Sequence, residues 1–263
     1  MGEQGMSDPE VLLFERTSGV ARLTLNRPDR GNAINLRLAE ALLHAAIVCD
    51  EDPDIRCVVL SGAGRLFCAG GDISAFAAAG AELPVMIKQM TAFLHMAIAR
   101  FARMGKPLVT AINGPAAGAG LSLAVLGDIA LAAPGAHFSM AYTAIGLSPD
   151  GGTTWLLPRL VGLRRAQEMA LTNRRVSAVE AAEIGLITRE VGEGALAAET
   201  DDVAQRLAAG ATGALGRARN LLMASFSTSL ETQMENEARA IAESSRSAEC
   251  RPAIDAFLRQ KPR

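Results

Sequence analysis

With 263 residues, 49% of them apolar and 21% charged, the chain is long enough to bury a sizeable core, as one large domain or a core plus an appendage. Its formal net charge of −2 supplies no sequence-independent attraction to phosphate backbones, which argues against nucleic acid as the main partner. No stretch reaches the ~20 uninterrupted apolar residues that a membrane span requires.

The N-terminus, "MGEQGMSDPE", carries no apolar or Arg-rich targeting pattern, and residues 1–9 read as a loose tail. "VLLFER" and "VARLTLN" flank "TSG", the signal of an opening hairpin. "NLRLAEALLHAAIVCDED" has helical spacing, with Leu38, Leu42, Ala45 and Ala46 on one face. "IRCVVLSG" reads as a buried strand ending at Gly62. A long amphipathic helix starts near Pro84, and "KPLVTAING" is the next strand. "DIALAAPGAHFSMA" reads as two short strands around Pro134 and Gly135. "SAVEAAEIG" predicts a helix with a capping box from Ser177 to Glu180, closed by Gly185. "LITREV" is a last short strand. From Ala195 onward the pattern is helical throughout. Alternating strands and helices over residues 10–194, followed by a helical region over 195–263, predict an α/β fold.

The four cysteines, Cys49, Cys57, Cys68 and Cys250, show no CxxC spacing, and three lie in apolar runs. Buried free thiols in a reducing, cytoplasmic setting are expected, rather than disulfides or a metal site. No HExxH is present, so no metal is predicted.

Two segments share one form: a strand, then small residues, then a helix. They are "CVVLSGAGRLFCAGGDISAF" and "PLVTAINGPAAGAGLSLAV". In the second, Gly118-Ala119-Gly120 opens a helix whose first N–H groups have no intrahelical partner. Two such amides facing each other would hold an oxyanion. Close helix–strand packing is the plainer explanation of either segment alone. "GAGRLFCAGG" lacks the GK[ST] of a P-loop. "GLSLA" around Ser122 is one residue from a G-x-S-x-G elbow. That fold needs a late His, and the histidines here are His44, His95 and His137.

Taken in order and spacing, "LTLNRPDRGNAIN", "SGAGRLFCAGGDIS", "KPLVTAINGPAAGAGLSLAVLGDIALAA" and "IGLSPDGGTTWLLPRLVG" resemble the enoyl-CoA hydratase/isomerase (crotonase) family. Within it, "SPDGGTTWLLPRLVG" looks most like ring-epoxide isomerases of phenylacetyl-CoA breakdown. The resemblance implies a crotonase-like spiral of ββα units with a helical C-terminal trimerisation region. It also implies an acyl-CoA thioester substrate and a homotrimer or dimer of trimers. No cofactor is implied beyond the coenzyme A of the substrate. The family's oxyanion amides fall on Gly71 and Ala119. Gly118, which opens the helix behind Ala119, counts with them on the substrate side. The adenine-contacting carbonyl falls on Ala69, and "RPDRG" lies where the CoA chain is held. Arg30 is a candidate phosphate contact there, although the family's usual basic position is matched by Asp29. Asp72 closes the first loop, where capping a helix competes with contacting substrate. Phe257 and Lys261 match C-terminal positions that reach CoA in a neighbouring subunit.

Family hydratases use two glutamates, and the resemblance places Ser122 and Tyr142 at those positions. Neither replaces a carboxylate base at neutral pH. Asp150, in "LSPDGGT", falls where isomerases of the family carry an acid. By local pattern alone it is a helix N-cap. With both glutamates gone, the preferred reading is one-base isomerisation. Asp150 removes a proton α or γ to the thioester, the oxyanion hole holds the dienolate, and the carboxyl returns the proton elsewhere.

A rival reading uses His95, aligned with the catalytic His of 4-chlorobenzoyl-CoA dehalogenases. Tyr142 then flanks an aryl ring, Asp150 attacks it, and His95 activates water. Against this, the dehalogenases carry Phe where this chain has Gly71. A third reading is a non-catalytic acyl-CoA-binding protein.

Overall fold

The computed structural model describes residues 10–259. The expected loose tail over residues 1–9 lies outside them, as does Lys261. Strands β1 (Leu12–Thr17) and β2 (Val20–Leu25) form the opening antiparallel hairpin. Helix α1 (Leu36–Glu51) begins where the Asn35 side chain accepts the Leu38 amide, one of the first-turn donors without an intrahelical partner. Strand β3 (Cys57–Gly62) follows, then α2 (Ile73–Ala79) and the long α3 (Leu83–Arg103), with Pro84 in its first turn.

Next come β4 (Leu108–Ile112), β5 (Ala116–Ala117), α4 (Ala119–Ala124), β6 (Ile129–Ala132) and β7 (His137–Ser139). Helices α5 (Thr153–Val161) and α6 (Leu163–Thr172) lead to β8 (Val176–Ser177), α7 (Ala178–Glu183) and β9 (Arg189–Glu190). The chain continues with α8 (Leu196–Ala209), α9 (Thr212–Ala224), α10 (Leu230–Ser245) and α11 (Cys250–Arg259).

The strands form a six-stranded sheet in the order β1-β2-β3-β4-β6-β9 and a three-stranded sheet in the order β5-β7-β8. Every pairing in the large sheet after β1–β2 is parallel, so each step needs a crossover. α1 makes the first such crossover, and α2 with α3 makes the next. The two strands expected around Pro134 both exist, but β6 and β7 belong to different sheets.

A parallel sheet must be covered on both faces, and alternation along β3 shows how this is done. Val58 and Leu60 join the main core with Leu38 and Leu42 of α1 and Leu94 and Phe101 of α3. Cys57 and Val59 point the other way, into a second core with Val203, Ala204 and Ala208 of α8. The all-helical stretch therefore begins as part of the core, because α8 covers the second face. α10 and α11 bury no residue, and Leu230, Met234, Ile241, Phe257 and Leu258 are exposed on them. Half of the expected capping box forms. Ser177 Oγ accepts the Glu180 amide at 3.2 Å, but the Glu180 carboxylate turns to Arg174 at 2.8 Å. All four cysteines are free. No helix among the described residues is long and apolar enough to cross a membrane.

Candidate active site

The two glycine-rich segments lie side by side. Cys68 and Ala116 form a parallel bridge, with Ala117 N donating to Cys68 O at 3.0 Å. This register brings Gly70 and Gly118 into backbone contact. Gly118 has φ 54°, and a Cβ there would lie 3.6 Å from the Gly70 Cα. Gly70 has φ 97°, and a Cβ there would lie 2.8 Å from Ala117 O. Gly70 therefore has no room for a side chain, whereas at Gly118 it is the left-handed backbone alone that favours glycine.

The adjoining amides follow from peptide geometry. Gly70 O accepts from Ile34 N at 2.7 Å, so the N–H at the other end of that trans peptide, on Gly71, is directed to the opposite side. Gly118 O accepts from Leu121 N at 2.9 Å and Ser122 N at 3.3 Å, so the Ala119 N–H projects out of the first turn of α4. Among the described residues no backbone carbonyl takes either amide. Gly71 and Ala119 line one cavity of about 270 Å³, together with Ala69, Gly118, Tyr142 and Asp150. Much of its remaining wall is apolar, from Ile73, Phe76, Ile87, Met90, Ile145 and Leu147.

Asp150 does not cap α5, as its local pattern alone would have it. The N-cap position is Gly152, at φ 74°, and Gly151 is also left-handed at φ 64°. Two such residues in succession turn the chain before the helix starts and free the carboxylate. Tyr142 Oη donates to Asp150 Oδ1 at 2.6 Å, and His95 Nε2 lies 3.2 Å from Oδ2. The phenol is held above its ordinary pKa by burial, by the Asp150 charge and by its hydrogen bond to that carboxylate. It is therefore a neutral donor.

His95 Nε2 also lies 3.2 Å from the Gly151 N–H. A neutral imidazole that accepts from Gly151 through Nε2 cannot donate from that atom to Asp150. An imidazolium can donate to Asp150 but cannot accept. The two contacts belong to two proton placements: Nε2 donates to Asp150 when it carries the proton, as the neutral Nε2–H tautomer also allows, and accepts from Gly151 when the proton is on Nδ1. His95 itself lines a neighbouring cavity of about 340 Å³, behind the Asp150–Gly151 turn, with Ser122, Thr153 and Trp155.

Other expected site residues lie farther out. Asp72 N-caps α2, accepting from Ala75 N at 3.2 Å, and pairs with Arg27 Nη2 at 2.9 Å. Burial opposes its charge. The Arg27 hydrogen bond, the Ala75 amide and the charges of Arg27 and Arg30 outweigh that and hold the carboxyl below its usual range. Its side chain is committed to the scaffold. Arg30 is exposed in the turn after β2, and Phe257 is exposed on α11. Neither lines the cavity with Gly71 and Ala119. Cys68 is fully buried, which pushes its thiol up to about 12 and makes it inert packing.

Sequence reasoning places the stretch 75–90, "AFAAAGAELPVMIKQM", at the pocket but singles out none of Ile87, Met90 and Thr91, the α3 wall of the cavity, because their spacing matches any amphipathic helix. It also passed over Arg27, whose partner stands 45 positions away.

The Enoyl-CoA hydratase/isomerase family model matches residues 15–263. The chain belongs to the enoyl-CoA hydratase/isomerase family. It is 38% identical over 253 residues to 1,2-epoxyphenylacetyl-CoA isomerase of Escherichia coli (strain K12), covering 96% of this chain and 97% of that protein. It is 35% identical over 224 residues to 4-chlorobenzoyl coenzyme A dehalogenase-2 of Arthrobacter sp, covering 85% and 81%. The crystal structure of an enoyl-CoA hydratase from Polaromonas sp. JS666 matches with a TM-score of 0.90 at 32% identity, covering 96% of this chain and 98% of that one. The α/β architecture is thus the crotonase fold, and the protein is an acyl-CoA enzyme of the hydratase/isomerase family. Its relatives span isomerase, hydratase and dehalogenase chemistry, so membership alone does not fix the reaction.

Proposed function

We propose that the protein is an acyl-CoA isomerase that uses Asp150 as its single acid/base, with the Gly71 and Ala119 amides as its oxyanion hole. One observation carries this reading: a carboxylate shares a cavity of about 270 Å³ with two backbone amides that have no backbone partner among the described residues. Asp150 takes a proton from the carbon α or γ to the thioester. The C–H electron pair moves towards the thioester carbonyl, and its oxygen gains charge between the two amides. Re-forming the carbonyl moves the double bond, and Asp150 returns the proton at the other carbon. Each oxyanion donor is worth about 3 kcal/mol in a transition state of this kind. Tyr142 stays protonated and orients Oδ1, leaving Oδ2 to work. Ser122 and Tyr142 offer no carboxylate, which argues against ordinary water addition. The coenzyme A of the thioester is the sole cofactor-like group this chemistry needs.

The contact between His95 Nε2 and Asp150 Oδ2 favours a second reading, a dehalogenase-like hydrolase. There Asp150 attacks an aryl carbon, chloride leaves, and His95 activates the water that cleaves the aryl ester.

A panel of 2-enoyl, 3-enoyl, dienoyl and 4-chlorobenzoyl thioesters, assayed with wild type and Asp150→Asn, separates the readings. Double-bond migration lost in Asp150→Asn supports the isomerase. Chloride release that depends on His95 supports the hydrolase. Water addition that survives Asp150→Asn overturns the assignment of the base. Tight thioester binding without turnover identifies a binding protein.

A further inference from the structure

Ser122 sits one turn into α4, the helix whose first residue supplies the Ala119 amide. It is 2% exposed, and Thr153, at the start of α5, is 1% exposed. Ser122 Oγ donates to the main-chain carbonyl of Asp150 at 3.3 Å, and Thr153 N donates to the same carbonyl at 3.3 Å. The two hydroxyls, Ser122 Oγ and Thr153 Oγ1, are also hydrogen bonded to each other. Either hydroxyl can be the donor in that pair, while the Asp150 carbonyl can only accept. Gly151 completes the fit. A Cβ there would lie 2.7 Å from Ser122 Oγ, so the turn presses against the hydroxyl.

We propose that Ser122 and Thr153 are positioning residues that hold the Asp150 carboxylate in register with the Ala119 amide. The inference rests on Asp150 being the base. The oxyanion donor and the proton-transfer group come from segments more than 30 positions apart. A buried hydroxyl pair is the direct link between the helix that carries one and the turn that carries the other. Neither hydroxyl exchanges a proton with substrate. Their effect is on where Oδ2 stands relative to the reacting carbon, and a shift of about 1 Å there is worth about 100-fold in rate.

The test uses Ser122→Ala, Thr153→Val and Thr153→Ser, with Asp150→Asn as reference, on the best substrate of the thioester panel. Isomerisation is followed in D2O, together with binding of a non-reactive acyl-CoA and the thermal midpoint. We expect kcat to fall about 10- to 100-fold in Ser122→Ala and Thr153→Val, with thioester binding unchanged. A displaced base loses more of the abstracted protons to solvent, so deuterium incorporation per turnover should rise in both. Thr153→Ser keeps the hydroxyl and should restore most of kcat. A purely structural role would lower the thermal midpoint with kcat per folded enzyme and deuterium incorporation unmoved, and that result overturns the inference. Should Asp150→Asn isomerise normally, the base assignment itself fails. Asp150→Asn inactive beside fully active Ser122→Ala and Thr153→Val defeats the positioning role alone.

Discussion

The phenol of Tyr142 donates to Oδ1 of Asp150 across 2.6 Å, from the opposite end of one loop. A carboxylate with one oxygen tied in this way has a fixed plane, and its second oxygen has a fixed direction. Tyr142→Phe removes the tie and leaves the ring. A hydrogen bond to a charged group of this kind is worth about 1.5–3 kcal/mol. Part of that is lost as disorder in the proposed base, so kcat should fall about 10- to 100-fold, with binding of a non-reactive acyl-CoA unchanged. Undiminished kcat in Tyr142→Phe would remove the tyrosine from the mechanism.

The same contact makes a spectroscopic prediction. Tyr142 is the chain's single tyrosine, so phenolate absorbance reports on it alone. Burial, the Asp150 charge and the shared hydrogen bond all raise its pKa. An alkaline titration should therefore show no phenolate before the protein unfolds, and then a step that coincides with unfolding. A phenolate that forms in the folded protein near pH 10, the ordinary value, would mean the phenol is not buried against a carboxylate.

Much of this arrangement is legible in the sequence, and the rest has a physical reason to be hidden. Helical spacing at Leu38, Leu42, Ala45 and Ala46 marks α1 because all four fall on its buried face. The apolar runs of β3 and β4 show because both strands are covered on both sides. β5 and β8 span two residues each, too short for any alternation to register. For Asp150, local chemistry points to a helix cap. The turn at Gly151 and Gly152 and the partners Tyr142 and His95 decide otherwise, and His95 is 55 positions away. Resemblance, not pattern, brought those residues together in advance.

Gly70 tests the proposed oxyanion hole from the backbone side. Its φ of 97° is unfavourable for any other residue, and a Cβ would meet Ala117 O at 2.8 Å. Gly70→Ala should cost roughly 1–3 kcal/mol in backbone strain and push the two loops apart. The Gly71 amide then leaves its position, so kcat should fall about 100- to 1000-fold, the loss typical of one missing oxyanion donor. Steady-state kinetics beside a thermal melt separates the two effects. A variant that is destabilised yet turns over normally would show that the loop contact is structural only.

Three thiols set an alkaline limit on stability. Desolvation by burial pushes Cys49, Cys57 and Cys68 from 9.0 up to about 12. Below pH 9 they are protonated in both folded and unfolded chains and contribute no pH dependence. Above it the unfolded chain releases protons that the folded chain keeps, so folding free energy declines by about 1.4 kcal/mol per pH unit per thiol. The decline ends as the folded thiols themselves titrate near 12. Denaturant midpoints should fall steadily from pH 9 upward, and less steeply in Cys57→Ser once its own cost at neutral pH is subtracted. Under native conditions a thiol reagent should modify Cys250 alone, because it is the one cysteine not fully buried.

Arg219 gives the largest expected loss of stability. It is 8% exposed on α9 and spreads its guanidinium over three partners. Nε donates to Asp128 at 2.6 Å, Nη1 to Met104 O at 2.7 Å and Nη2 to Phe101 O at 2.6 Å. Two of these are carbonyls at the C-terminal end of α3, where a cation also opposes the helix dipole. Asp128 in turn accepts the Leu108 amide at 2.8 Å, so one side chain ties α9, α3 and the start of β4 together. Arg219→Met leaves those carbonyls and a half-buried carboxylate without their donor, a loss on the order of 3–5 kcal/mol. Arg219→Lys should recover little, because one ammonium cannot span the fork that the guanidinium fills. Arg219→Met combined with Asp128→Asn should regain part of the loss, since no unpaired charge is left behind. Urea midpoints with an unchanged m-value measure all three. The Arg219→Met midpoint matching wild type would mean that α9 is held by its apolar contacts alone.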